Sequence, residues 1–443
     1  MCKNIFVVFK IFILVLLNFN IFAADYIITT SGTYILSDDL LSTNADSNGA
    51  IRIRSSFVTL DLNGRFLYQN NATAGANGIV IDSGLTDIII KNGTIVNFTR
   101  CGVTVNSGCS VIKLQDLIIE NCQLRGMELL GSLSSNIKRS EINNCKIFGC
   151  CTSASTDNVL TLSVCKDVTI SDCVLNNNAA SGLSLFSVIL LDACNACNII
   201  RTKIDNNSLA SAPASGSISC IRFNSTGGCY INFVGRNNTN TSTTASGNHM
   251  MPIKFTENSI LNCYNVFDNC MLINNVAATP PVSYGFYVDN SVYTLLRNCK
   301  SLANFAGGQG QGYLVDAAAY GATLINCMSL ANKATSGGYS NGFYMGGPSC
   351  AMIKCFGAFS TLDTPAAGGQ TYGVFVNGAS DTQIKDCDFF ANTNTSSDAN
   401  SNGINLTGGS NNVFVQNVAL RNGTTANTAN ISGVAAGSVD TSG

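Results

Sequence analysis

A short frame recurs along most of this chain: a glycine, then an apolar, a variable and an apolar residue. It stands as GIVI at Gly78, GVTV at Gly102, GMEL at Gly126, GLSL at Gly182, GFYV at Gly285, GYLV at Gly312, GFYM at Gly342, GVFV at Gly373, GINL at Gly403 and GVAA at Gly433. Degenerate copies fill the gaps: AIRI at Ala50, VLTL at Val159, CIRF at Cys220 and PIKF at Pro252. From Gly285 onward the intervals are 27, 30, 31, 30 and 30 residues. Apolar and variable residues alternate within each frame, which predicts a strand with one buried face. A second apolar-polar run follows in each unit, such as DIIIKNGTIVNF from Asp87 or TQIKDCDFFAN from Thr382. Two or three short strands joined by Asn, Gly and Ser turns make one rung of a coil. No helical period occurs after the first two dozen residues, so the pattern predicts an all-β solenoid of roughly 13 coils.

The first residues differ from the rest. MCKNIFVVFKIFILVLLNFNIFAAD carries lysines at Lys3 and Lys10, an apolar run, and small residues at Ala23 and Ala24. This predicts an export signal over 1–24 cleaved near Ala23 or Ala24, rather than a membrane span. The expected organisation is then an N-terminal cap over 25–49, one solenoid domain over 50–443, and a secreted or envelope location.

The opening coils, SGTYILSDDL from Ser31, FVTLDLNGRFL from Phe57 and GIVIDSGLTDIIIKNGTIVNF from Gly78, resemble right-handed parallel β-helix proteins of the pectate-lyase-like superfamily. The resemblance implies a right-handed parallel β-helix. It leaves function open, because that superfamily spans lyases, glycoside hydrolases, esterases, tailspikes, adhesins and non-catalytic proteins.

Composition narrows the choice. Charged residues are 11% of the chain, and the 24 Lys and Arg, less the two in the signal, face 26 Asp and Glu, for a net charge near −4. Nothing in that balance points to nucleic acid. The motifs of sugar-cleaving superfamily members do not carry over. The one histidine, His249, has no glycine after it; the Asp38-Asp39 pair precedes the first full frame; no arginine precedes a proline. No cofactor is implied.

If the frames are in register, the variable position of successive rungs reads Arg222, Lys254, Tyr287, Leu314, Tyr344 and Phe375, and two residues later Asn224, Thr256, Asp289 and Asp316. Tyr287, Tyr344 and Phe375 would form an exposed aromatic stripe suited to stacking on sugar, with Arg222 and Lys254 beside it. Loops from Asn304 or Asn332 folding over the stripe are the contrary expectation. Asp289 and Asp316 are candidates for a carboxylate pair in glycoside cleavage, against the simpler role of capping the turn. The expected ligand is a polysaccharide or other glycan, bound without catalysis, with a glycan-cleaving enzyme as the alternative and a tailspike-like trimer left open. The insertion from Gly235 to Met251 interrupts the rungs beside this surface, as does a shorter one at Ser211.

The 20 cysteines include Cys2 in the signal. Cys299, Cys327, Cys355 and Cys387 fall at one place in successive rungs, 28, 28 and 32 residues apart. Parallel-ladder neighbours stand ~4.8 Å apart, wider than the ~3.8 Å of bonded Cβ pairs, so core packing is expected over disulfides. Cys194 and Cys197 have a zinc half-site gap without a second half, so no metal is expected. Adjacent Cys150 and Cys151 should point one in and one out if they lie on a strand.

Overall fold

The computed structural model describes residues 26–441 except 44–47, 71–74, 153–157, 183–184, 211–216, 225, 241–248, 251–252, 257–263, 278–281, 290, 395–399, 421–430 and 433–438. The expected signal over 1–24 and most of the insertion after Gly235 therefore lie outside the described residues.

Strands and turns make up everything described, and the strands stack in parallel, coil on coil. The frame ladder runs from Tyr26–Ile28 to Ile431–Ser432 through fourteen successive pairings, close to the coil number expected. Two further ladders complete each turn. One aligns Leu60, Ile90, Leu114 and Ile142; the other aligns Leu67, Ile95, Ile119 and Ile147. Consecutive parallel strands joined by a crossover wind right-handed almost without exception. The segment expected to cap the coil already contributes strands at Tyr26–Ile28, Gly32–Ile35 and Leu40–Ser42.

One frame falls elsewhere than its glycine suggests. At GLSL, residues 183–184 lie outside the described residues and Leu185 pairs with Ser217, while the frame position of the ladder is taken by Ile189, which pairs with Leu160 and Ile221. Its Ile189 and Leu191 supply the inward apolar pair, so packing outweighs the glycine. The last described pairing of this ladder joins Ile431 to Ile404, and the GVAA segment at Gly433 lies outside the described residues.

The frame glycines have a steric reason. A Cβ on Gly373 would stand 2.6 Å from the carbonyl oxygen of Gly403 and 2.6 Å from the Cβ of Phe389. At Gly285 a Cβ would strike the buried Ser301 side chain. The frame glycine thus faces inward beside an inward apolar residue, and alternation breaks there.

Corners are turned by polar residues in the left-handed region. Asn298, Asn326 and Asp386 have φ of 55°, 51° and 54°, a conformation Asn and Asp tolerate best among non-glycines. A buried cysteine follows each: Cys299, Cys327 and Cys387. The Cys327 thiol donates to the Leu296 carbonyl of the preceding coil at 3.4 Å. All eighteen described cysteines are free and buried. Cys150 and Cys151 are both inside, because Cys151 sits at φ 67° and breaks the strand alternation expected there.

At the next corner, asparagines form a buried chain. Asn178, Asn207, Asn238, Asn275 and Asn304 each pass a side-chain N–H to the oxygen of the next, ending on Asn332, at 2.9–3.0 Å. Each of these oxygens also accepts the preceding asparagine's backbone N–H. Buried amides that would otherwise be orphaned are satisfied by one another.

Candidate functional site

The outward position of the frame forms one row along the rod. Its members in order are Arg52, Val80, Thr104, Glu128, Thr161, Leu190, Arg222, Lys254, Tyr287, Leu314, Tyr344, Phe375 and Asn405. Arg222, Lys254, Tyr287, Tyr344 and Phe375 therefore share a row as expected, across both insertions. Asp289 and Asp316 follow the paired Val288 and Val315 on neighbouring coils.

The expected exposed stripe is covered. Phe375 and Leu314 are each only 6% exposed and Arg222 8%, while Tyr287 and Tyr344 are half-buried. The cover is aromatic. Tyr284 stacks on Tyr287 with centroids 5.1 Å apart, and Phe375 is ringed by Tyr339, Tyr344 and Tyr372 at 6.1, 5.4 and 5.1 Å. Because the glycine and the apolar residue after it both face inward, the residue before the glycine falls on the same side as the variable position: Tyr284, Gln311, Asn341 and Tyr372 form a second row three positions before the first. Tyr339 comes from the segment after Asn332 that was the contrary expectation. The side chain of Lys254 lies outside the described residues.

The acidic pair sits at the edge of this corner. Tyr287 Oη donates to Asp316 Oδ2 at 3.1 Å, and Asp316 Oδ1 accepts the Ala317 N–H at 2.5 Å. Burial, then the charges of Asp289 and Asp316, push the Tyr287 phenol well above its usual range. The phenol therefore stays protonated as a donor, and Asp316 caps its own turn, which is the simpler of its two expected roles.

At the other end the same row borders a cavity, although Val80, Thr104 and Glu128 are themselves buried. A cavity of about 290 Å³ is lined by Arg52, Asp82, Arg100, Thr104, Asn106 and Glu128, with Asn48, Asn77, Val80 and Leu130 completing it. Strand alternation turns Arg52, Thr104 and Glu128 outward from Ile51–Ile53, Cys101–Val105 and Arg125–Leu130. Asp82 is held by Arg52 Nε at 2.8 Å and Arg54 Nε at 3.3 Å. Arg52 Nη1 also donates to Asn48 Oδ1 at 2.6 Å. The Glu128 carboxylate is buried between Arg125 Nη1 at 2.8 Å and Thr104 Oγ1 at 3.0 Å. Among the described residues no carboxylate lies within 4.0 Å of the Arg100 guanidinium.

Both carboxylates are thus committed to guanidiniums and serve as hydrogen-bond acceptors, which suits holding hydroxyl groups better than donating a proton. Sequence reasoning missed this groove, although its signal was present: reading the variable position upstream through AIRI and GMEL reaches Arg52 and Glu128. Among the described residues no cluster of three His, Cys, Asp or Glu could hold a metal ion, and no helix is long and apolar enough to cross a membrane.

No family model and no curated protein matches the sequence. Among solved structures, the A-module of the Azotobacter vinelandii mannuronan C-5 epimerase AlgE4 aligns at 11% identity and a TM-score of 0.43, covering 93% of this chain and 91% of that one. A tailspike protein of E. coli bacteriophage HK620, in complex with a pentasaccharide, aligns at 10% identity and a TM-score of 0.42, covering 90% and 73%. PfbA, a surface adhesin of Streptococcus pneumoniae, aligns at 9% identity and a TM-score of 0.35, covering 90% and 84%. The parallel ladders themselves make this chain a parallel β-helix, the architecture that the resemblance of its opening coils implies.

Proposed function

We propose that this is an exported, non-catalytic glycan-binding protein that holds a polysaccharide along the outer face of its frame ladder, with the N-terminal groove as principal contact. The observation that carries this reading is the groove itself: side chains from four successive coils converge on one cavity, nearly all of them hydrogen-bonding groups. Sugars present hydroxyls at a spacing that such fixed donors and acceptors can meet, and a concave site with convergent polar groups is the usual form of a small-ligand site. Half-buried Tyr287 and Tyr344, on the same row, offer ring edges further along the rod, while Phe375 packs against Tyr344 and Arg222 is buried.

A second reading, cleavage of the glycan, is favoured by one observation: Asp289 and Asp316 are neighbours across the ladder beside the Tyr287 hydroxyl. The two are separated by titrating the full chain with a panel of neutral and acidic polysaccharides in affinity electrophoresis, with product analysis on the same mixtures. Binding without new reducing ends or unsaturated products supports the first reading. Products that disappear in Asp289→Asn or Asp316→Asn favour the second, and failure to retain any polysaccharide sinks both.

A further inference from the structure

We infer that the N-terminal groove selects an acidic sugar unit, one bearing a carboxylate or a sulfate, and that Arg100 is the side chain that takes the anion. This rests on the groove being the glycan site. Among the described residues, Arg52 and Arg100 line the cavity, Arg54 and Arg125 pair with its carboxylates from beside it, and these four guanidiniums face two carboxylates, Asp82 and Glu128. Three of the four are occupied, two sharing Asp82 and one on Glu128. Arg100 lines the cavity with no carboxylate at ion-pair distance among the described residues. The excess is local, since the whole chain carries a formal charge of −2.

The root of Arg100 is held on both sides. Its N–H donates to the Ala76 carbonyl at 2.9 Å, and its own carbonyl accepts the N–H of Leu124 and Arg125 at 3.1 and 3.3 Å. It is thereby tied to the coil before and the coil after. A planar guanidinium so placed matches the two oxygens of a carboxylate or sulfate, and charge-assisted pairs of this kind are stronger than neutral ones. A neutral sugar would leave the excess charge uncompensated. The remaining groups suit the hydroxyls of the same unit: Arg52 is oriented by Asn48 and Asp82, and the Asn106 amide is fixed by the Ile81 carbonyl at 3.0 Å.

The test uses the full chain with three probes of matched length in isothermal titration: an oligogalacturonate, its carboxyl-reduced neutral counterpart, and a sulfated galactan oligomer. The expected result is that at least one acidic probe binds about ten-fold or more tightly than the neutral one, and that added salt shrinks the difference. Which acidic probe wins identifies the anionic group. Arg100→Gln should erase the preference with an unchanged melting temperature, and Arg100→Lys, keeping charge without the planar fork, should restore part of it. Equal affinity for the neutral probe, or a preference untouched in Arg100→Gln, overturns the inference while leaving the glycan reading standing. Binding to none of the three in a chain that also fails the wider panel removes both.

Discussion

One row of outward residues looks entirely different at its two ends. From Arg52 to Glu128 it borders an open, charged groove; from Tyr287 to Phe375 it lies under tyrosines. The backbone is the same ladder in both places. What differs is the companion row three residues earlier, where Asn77, Cys101 and Arg125 stand at one end and Tyr284, Gln311, Asn341 and Tyr372 at the other. Small or charged companions leave room and bring charge, whereas aromatic companions fold onto their neighbours and exclude water. Two environments thus arise from one repeat, through the side chains of the companion row and the longer segment that brings Tyr339 over Phe375.

That comparison can be broken by substitution. Phe375→Ala should cost about 3 kcal/mol, as for other buried phenylalanines, because three tyrosines lose their partner. Val80→Ala, at the same row position beside the groove, should cost about 1 kcal/mol. Equal losses in denaturant titrations would mean that the two ends are packed alike. Next in size, Glu128→Gln should destabilise by about 2 kcal/mol by leaving Arg125 without its counter-charge in a part-buried site. Asp316→Asn, which keeps the Ala317 N–H on its amide oxygen and turns the Tyr287 hydroxyl from donor to acceptor, should shift the melting temperature little. A large loss in Asp316→Asn and none in Glu128→Gln would reverse the assignment of which end depends on charge.

Smaller effects sharpen the picture. Tyr287→Phe removes one hydrogen bond to Asp316 and should cost about 1 kcal/mol, with the Tyr284 stack retained in near-ultraviolet circular dichroism. Between the two ends, Asp268 is held by Arg297 Nη2 at 2.7 Å, and this pairing lowers its carboxyl below the ordinary 3.8. A lowered carboxylate contributes stability above pH 3.8 that is lost as pH falls through the folded value. With Arg297 half exposed, that contribution is about 1 kcal/mol or less. Stability of Asp268→Asn should therefore be flatter than wild type between pH 5 and pH 2, as followed by thermal midpoints.

The fold was legible because period and alternation constrain a parallel coil so tightly: a slip of one residue would turn Ile79 or Phe286 outward. One frame failed where a glycine was taken as the marker, at Gly182, and packing of Ile189 won. The asparagine chain was half seen, as turn residues, because its spacings run from 28 to 37 and hide a regular column. Burial of the stripe was not legible, since strict alternation puts Tyr284 and Tyr287 on opposite faces. Only the inward turn of Gly285 brings them together outside. The groove was overlooked for a related reason: its charges are distributed over coils 24 to 30 residues apart, with no local motif.

The central claim is that the N-terminal groove, rather than the tyrosine corner, is the principal glycan contact. The most direct measurement is photo-crosslinking of the full chain with a diazirine-bearing oligosaccharide that it binds, followed by mass spectrometric mapping of the labelled peptides. Labels should fall within 48–54, 77–82, 100–106 and 125–130. Labels concentrated within 284–289, 339–346 and 372–377 would contradict the account.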